Sequence, residues 1–535
     1  MRNQGIGSWT ARRARMSPDR VAVVHDDREQ TYGELHERAT RMAHILAGLG
    51  VESGDRVAYL GPNEPAFLET LFGAGLAGAI VVPLNTRLTP PELAYILRDS
   101  GTSVLVHAPT HDTHAAELRA EVPHVLPHAR FEELLAAAPT TPVDETVEPD
   151  DVAMIMYTSG TTGRPKGAAL SHANVHWNSV NVLIDVDLAG DEVTLVNAPM
   201  FHVAALNQTV LPTLLKGGTV VLDSFDPVRT LETIARRRVT YLFGVPAMFQ
   251  AVASVPEWTD ADLSSVRTMI CGGAPVPEQV ITTYQERGLV FLQGYGLTES
   301  SPSGLFLRAT ESTRKVGSAG TPCFFTDVRV VDAAGHDVAP GVPGEVVLHG
   351  PNVMTGYWGK PQETEAVLSA DGWLRTGDIA VSDEDGYLYI RDRIKDVIIS
   401  GGENIYPAEV EDALHRHPAV ADCAVIGVAD ERWGEVGRAI VVPLSTVEPN
   451  ELLAFLDGRI ARYKIPKSVV FADTLPRTAS GKLLKRALHD TYGRTDDDDG
   501  AGADGAPGAG GQHVRPDGVA RGDPEPGEHV RRRDG

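Results

Sequence analysis

Apolar positions recur at two different periods along this chain, and the change from one to the other predicts its architecture. From Thr31 a helix is expected. Thr31 and Glu34 have the spacing of a capping box, Leu35, Ala39, Met42, Leu46 and Leu49 fall at helical intervals, and Gly50 ends the run. Val57 to Leu60 then reads as a short buried strand, Asn63 to Ala77 as a helix, and Ala79 to Val82, closed by Pro83, as a second strand in a parallel β-α-β unit. The buried strand returns at Val104 to His107, Thr194 to Asn197, Thr219 to Leu222, Tyr241 to Gly244 and Thr268 to Cys271, between helical stretches. A large region of doubly wound sheets follows from that alternation. Between about Thr321 and Ile394 the period shortens to two: Asp327 to Asp332, Gly344 to His349 and Tyr387 to Arg391 are punctuated by turns, the pattern of an antiparallel subdomain or small barrel. A compact α+β unit runs from Lys395 to about Tyr492.

The expected fold class is therefore α/β. A large N-terminal domain covers 1–394, its last part (about 321–394) antiparallel, and a small C-terminal domain covers 395–492. Residues 493–535 are dominated by Gly, Ala, Pro, Asp and Arg; too few apolar side chains remain there to offset the ordering entropy, so a disordered tail is expected.

Composition narrows the function more than the fold. The 535 residues suggest about two to four domains, and 42% apolar and 22% charged is ordinary for a soluble protein. A net charge of −24 argues against nucleic acid and anionic membranes as partners, because both require a basic face. Cys271, Cys323 and Cys423 are far apart and lack metal or disulfide spacing, which points to a reducing, cytoplasmic setting. Arg2, Arg12, Arg13 and Arg15 are followed by no apolar stretch, so no secretory signal is read. Leu71 to Leu84 is too short and glycine-rich to span a bilayer.

Candidate chemistry begins where the apolar run Val152 to Met156 empties into YTSGTTGRPKG, Tyr157 to Gly167. Glycines let backbone N–H groups converge on an anion, hydroxyls add donors, and Lys166 brings a point charge. It is not a Walker loop, since Pro165 stands where that motif needs Gly and Gly167 where it needs Ser or Thr. With QGYGLTES (Gln293 to Ser300), TGD (Thr376 to Asp378) and RTASGK (Arg477 to Lys482), in that order, the string resembles the adenylate-forming acyl-CoA synthetase and luciferase superfamily from about Thr31 to about Arg486.

That resemblance implies a two-step reaction: a carboxylate attacks the α-phosphorus of ATP, releasing pyrophosphate, and the thiol of CoA then displaces AMP. It implies that Thr158, Ser159, Gly160, Thr161, Thr162, Gly163 and Lys166 grip the phosphates. Gly273, Ala274 and Pro275 would form one wall of the adenine slot and Gln293, Gly294 and Tyr295 the other, with Tyr295 stacking. Thr298 would touch the α-phosphate and Glu299 would hold Mg²⁺, a hard cation suited to oxygen ligands. Asp378 and Arg393 correspond to ribose contacts, Lys395 to a hinge, and Lys482 to the lysine that reaches the reacting carboxylate. After rotation of the small domain, Ser400, Gly401 and Gly402 would line the thiol's approach.

Phe201, His202, Ala204 and Ala205 border the implied acyl pocket, with Gly294. Amino-acid-activating relatives carry aspartate where His202 stands, so an α-amino acid is disfavoured, and the two alanines leave room for an aromatic or medium aliphatic tail. The opening residues, YLGPNEPAFLETLF (Tyr59 to Phe72) and VPLNTRL (Val82 to Leu88) are most similar to feruloyl-CoA synthetases of actinomycetes. Hydroxycinnamates are the acids this implies, with medium-chain fatty acids as the alternative. A stand-alone adenylation enzyme loading a carrier protein and a luciferase-like oxygenase are the other classes on this fold. Oligomeric state is not legible in the sequence.

Overall fold

The computed structural model describes residues 2–158, 164–274, 276–478 and 482–493. Expectations that fall on Ser159, Gly160, Thr161, Thr162, Gly163, Pro275, Ser480, Gly481 and the tail from Arg494 lie outside the described residues. Two large sheets dominate. The first has nine strands, and its parallel centre runs through Phe291–Gly296, Thr268–Gly272, Tyr241–Gly244, Val193–Val196, Thr219–Leu222 and Val21–His25. The second has seven: Gly356–Tyr357, Lys166–Ser171, Val152–Thr158, Ile80–Pro83, Arg56–Leu60, Thr102–His107 and His124–Pro127. Chain order and spatial order differ in both, as helical crossovers require.

Alternation of side chains gives each strand two buried faces. Val57, Tyr59, Val81, Val104 and Val106 join one core cluster, while Ala58, Leu60, Ile80, Val82 and Leu105 join another. The first cluster also contains Val23, Val220 and Leu222 from the nine-stranded sheet, so it lies between the two sheets. Helix Pro65–Leu76 runs through that cluster and is buried at every residue from Ala66 on, which is why its sequence is apolar apart from Glu69, paired with Arg38, and Thr70. Thr31 caps Tyr32–Gly48 by the expected reciprocal bonds: Glu34 N–H donates to Thr31 Oγ1 (3.2 Å), and Thr31 N–H donates to Glu34 Oε2 (2.8 Å).

The period-2 region folds as an open four-stranded antiparallel sheet, Asp327–Val331, Gly344–His349, Leu374–Ser382 and Leu388–Arg393, rather than a barrel. Two short strands within the same stretch of chain pair outside that sheet. Thr321–Pro322 pairs with Ser303–Phe306 at the edge of the nine-stranded sheet, and Gly356–Tyr357 pairs with Lys166–Ser171. Beyond Lys395, a five-stranded sheet centres on the long hairpin Val420–Asp430 and Gly434–Pro443. Its two faces are again covered separately, Cys423 and Val425 on one and Ala424, Ile426 and Val428 on the other. Among the described residues no helix is long and apolar enough to cross a membrane.

Candidate active site

Described residues on the two sides of the glycine-rich string are paired antiparallel strands, Val152–Thr158 with Lys166–Ser171, and Thr158 stands opposite Lys166 in the pair nearest the string's centre. Gly167 is required there, since a Cβ would lie 2.4 Å from Ile155 Cγ2. One pair further along, the strands are clamped by Asp99, whose carboxylate accepts from Tyr157 Oη (2.8 Å), Lys360 Nζ (2.8 Å) and Tyr95 Oη (3.2 Å). Lys166 Nζ sits 5.2 Å from the centroid of the Tyr357 ring, and the Tyr357 hydroxyl donates to Glu299 Oε1 at 2.7 Å. Thr298 and Glu299 open the short 3₁₀ turn Thr298–Ser300 at the end of Phe291–Gly296.

Two neighbouring parallel strands supply the expected adenine walls. Cys271 is opposite Gln293 and Gly272 opposite Gly294. A Cβ on Gly272 would lie 2.6 Å from the carbonyl oxygen of Gly294, and Gly273 holds φ +83°, a left-handed conformation that glycine adopts without strain. Ala274 follows, and Gln293 Nε2 is buried with no hydrogen-bond partner among the described residues. Tyr295 does not stand alone. Its hydroxyl donates to Asp378 Oδ2 (2.7 Å), and Arg393 Nε bonds Asp378 Oδ1 (3.0 Å). The register Asp378↔Arg393 between adjacent strands creates that ion pair. Burial, and then the Asp378 charge, push the Tyr295 hydroxyl well above its ordinary range, so it stays a donor.

Lys482 comes to the same place from the far end of the chain. Its N–H donates to Thr478 Oγ1 (3.0 Å) and its carbonyl accepts from Thr478 N–H (2.7 Å). The side chain keeps contact with solvent, yet it feels Arg393, Asp378, Glu299 and Lys395. Its pKa is lowered, first by desolvation and then by the Arg393 and Lys395 charges, with Asp378 and Glu299 opposing. His202 feels Lys482 in turn. Burial, then Lys482 and Arg87, push its imidazole down to about 4, and Nε2 has no partner among the described residues. The neutral imidazole therefore presents an unpaired nitrogen near the lysine.

His202 precedes a π-helical turn, Ala204–Val210, and its ring lies 4.5 Å from that of Phe201. Single π turns widen a helix and often occur at functional sites. Ala204 and Ala205 pack in a core cluster with Tyr241, Phe243, Ile270, Leu292 and Phe306. A Cβ on Gly294 would meet Phe306 Cε1 at 3.1 Å. The surroundings of the two alanines are thus apolar and partly aromatic.

Lys395 lies in the short turn Ile394–Asp396 that joins the four-stranded sheet to the five-stranded one. Ser400, Gly401 and Gly402 form the tip of the hairpin Ile398–Ser400 and Glu403–Ile405. Gly401 and Gly402 have φ +60° and +89°, and a Cβ on Gly401 would lie 2.6 Å from the Trp433 ring. Hence Lys482 feels Asp378, Arg393 and Glu299, His202 feels Lys482, and Lys166 joins Glu299 through Tyr357. Tyr357, Asp99 and Lys360 escaped the sequence reading. Tyr357 sits in a Gly-Tyr-Trp run whose pairing partner is set only by the fold.

A model of the AMP-binding enzyme family matches residues 10–358, and one of the AMP-binding enzyme C-terminal domain matches residues 409–482. A feruloyl-CoA synthase of Amycolatopsis sp is 56% identical over 496 residues, covering 92% of this chain and 100% of the relative. An indoleacetate–CoA ligase of Aromatoleum aromaticum is 43% identical, covering 90% and 96%. Among solved structures, o-succinylbenzoate coenzyme A synthetase from Bacillus subtilis in complex with ATP and magnesium ion superposes with a TM-score of 0.81 at 34% identity, covering 90% of this chain and 99% of that one. These matches, which cover most of the chain, show that the protein belongs to the AMP-binding enzymes, with both the AMP-binding domain and the C-terminal domain of that family.

Proposed function

We propose that this AMP-forming acid–thiol ligase joins hydroxycinnamates, ferulate foremost, to CoA. The observation that carries the reading is the 56% identity to a feruloyl-CoA synthase along that relative's whole length. The small alanines at 204 and 205 amid Tyr241, Phe243 and Phe306 support an aromatic acid, and His202 in place of a carboxylate disfavours an ammonium-bearing one.

In the first half-reaction the acid is already ionised at neutral pH, so its attack on the α-phosphorus needs positioning and charge neutralisation rather than a base. Lys482 supplies the charge at the carboxylate and α-phosphate, Lys166 and Thr158 hold the leaving pyrophosphate, and Asp378 with Arg393 orients the ribose. The orphaned Gln293 Nε2, beside strands that admit no Cβ, fits the edge of a purine. For magnesium the donor set is thin: among the described residues no group of three or more His, Cys, Asp or Glu could hold a metal ion. A single carboxylate, Glu299, suits an ion held chiefly by substrate phosphates and water, and such an ion would neutralise phosphate charge. In the second half-reaction the C-terminal domain turns about Lys395, Lys482 leaves, and the Gly401-Gly402 hairpin admits the thiol.

Mass spectrometry of thioesters formed from a mixed panel of hydroxycinnamates, benzoates, arylacetates and C4 to C16 fatty acids tests the assignment. Feruloyl-, coumaroyl- and caffeoyl-CoA are expected to dominate, with AMP and pyrophosphate released. Preferential formation of a fatty acyl-CoA would overturn the substrate class, and release of ADP and orthophosphate the reaction itself.

A further inference from the structure

One aromatic side chain touches both the carboxylate assigned to magnesium and the lysine assigned to the leaving pyrophosphate. Tyr357 donates its hydroxyl to Glu299 Oε1 at 2.7 Å and presents its ring to Lys166 Nζ at 5.2 Å. We propose that Tyr357 is a positioning residue for adenylation, holding Glu299 with one oxygen free for magnesium while its ring face orients Lys166 toward the pyrophosphate. The inference rests on the roles given above to Glu299 and Lys166.

The geometry is built rather than incidental. Tyr357 belongs to the short strand Gly356–Tyr357, which pairs with the strand carrying Lys166, with Tyr357 opposite Ala168. Trp358 N–H donates to Gly167 O (2.8 Å), next to that lysine. Tyr357 N–H donates to Thr364 Oγ1 (2.9 Å), and Lys360 bonds Asp99, which also holds Tyr157, one pair away from Lys166. The segment from Tyr357 to Lys360 therefore fixes both strands that flank the glycine-rich string and reaches the metal carboxylate. Burial, then the Glu299 charge, push the Tyr357 phenol far up, so it remains a donor across the working pH range. Donation to a carboxylate also enriches the ring in electron density, which strengthens its attraction for the lysine above it.

The test is calorimetric titration of ATP into full-length protein at a series of Mg²⁺ concentrations, with no acid present. Tyr357→Phe keeps the ring and loses the hydroxyl. It should raise the Mg²⁺ concentration for half-maximal ATP binding about tenfold, the scale of one hydrogen bond to a charged group, with the melting temperature nearly unchanged. In a Glu299→Gln background the same change should shift that midpoint little further. Tyr357→Leu, which also removes the ring, should weaken ATP binding about threefold more at saturating Mg²⁺. A Mg²⁺ midpoint in Tyr357→Phe within twofold of wild type, or a shift fully additive with Glu299→Gln, would overturn the positioning role. Wild-type ATP binding that ignored Mg²⁺ would instead overturn the reading of Glu299 on which it rests.

Discussion

At the scale of single residues, the most exposed claim concerns Lys482. Losing one preorganised charge at the reacting carboxylate should cost adenylation on the order of 10²- to 10³-fold. Lys482→Ala, assayed by pyrophosphate exchange, should show that loss, while a supplied acyl-adenylate still forms thioester with CoA. The lowered pKa adds a sign: adenylation should decline with rising pH before the ordinary lysine range is reached, and that alkaline limb should vanish in the variant. His172 makes a separate prediction about stability. It is buried, its Nδ1 accepts from Ile6 N–H at 3.1 Å, and burial pushes its pKa down to about 4. Between the ordinary histidine value and about 4 the unfolded chain binds the extra proton, so this contribution is whole above about pH 6.5 and is lost as pH falls. Asp392 works oppositely, because burial raises it to about 6 and the folded state takes up its proton first. His172→Asn keeps an acceptor without the titration; urea unfolding at pH 7 and pH 5 should show a smaller acid loss in it than in wild type. At the residue scale the motifs foretold that Asp378 and Lys482 would come together, and the structure places them within electrostatic reach. The pairs Tyr357–Glu299 and Asp99–Tyr157, whose members are 58 residues apart in each case, were not legible.

At the scale of elements, buried strands were read within a residue or two because their apolar runs are short and bounded by turns, as at Thr219–Leu222 and Tyr241–Gly244. Helix Ser8–Met16 went unread. Three of its nine residues are arginines, and only its first turn is buried, so no apolar period marks it. The π turn at Ala204–Val210 was equally silent, since π and α turns draw on the same side chains. The antiparallel stretch was recognised, but strand pairing was not: Thr321–Pro322 and Gly356–Tyr357 are too short to declare a sheet. The hairpin tip at Gly401 carries this scale's prediction. Alanine there must accept φ +60°, costing about 1 kcal/mol, and must displace the Trp433 ring. Gly401→Ala should therefore slow thioester formation from a supplied adenylate at least tenfold, leaving pyrophosphate exchange close to wild type. Equal loss in both assays would return the glycine to a purely structural role.

At the scale of the molecule, the two half-reactions make incompatible demands on one cleft. With Lys482 in reach of His202, Asp378, Arg393 and Glu299, the described arrangement serves the attack on ATP. The Gly401-Gly402 tip belongs to the same small domain, so a rotation that withdraws the lysine can bring the tip in. Lys395 is placed to be its pivot, in a single 3₁₀ turn between two sheets. Contacts across that turn include Asp392, which accepts from Ala408 N–H (2.9 Å) and lies 4.0 Å from Lys485 Nζ. The proposed rotation requires those contacts to be exchanged. Proline at 395 fixes φ near −65° and stiffens the residue before it, removing the freedom a pivot needs. Lys395→Pro should therefore retain pyrophosphate exchange within about tenfold of wild type while the overall rate of thioester formation falls by 10²-fold or more. Stopped-flow or quench assays of the two half-reactions read that split directly. A uniform loss in both, in protein that melts at the wild-type temperature, would mean that the domain does not turn about this residue, and that Lys482 and CoA share the cleft in some other way.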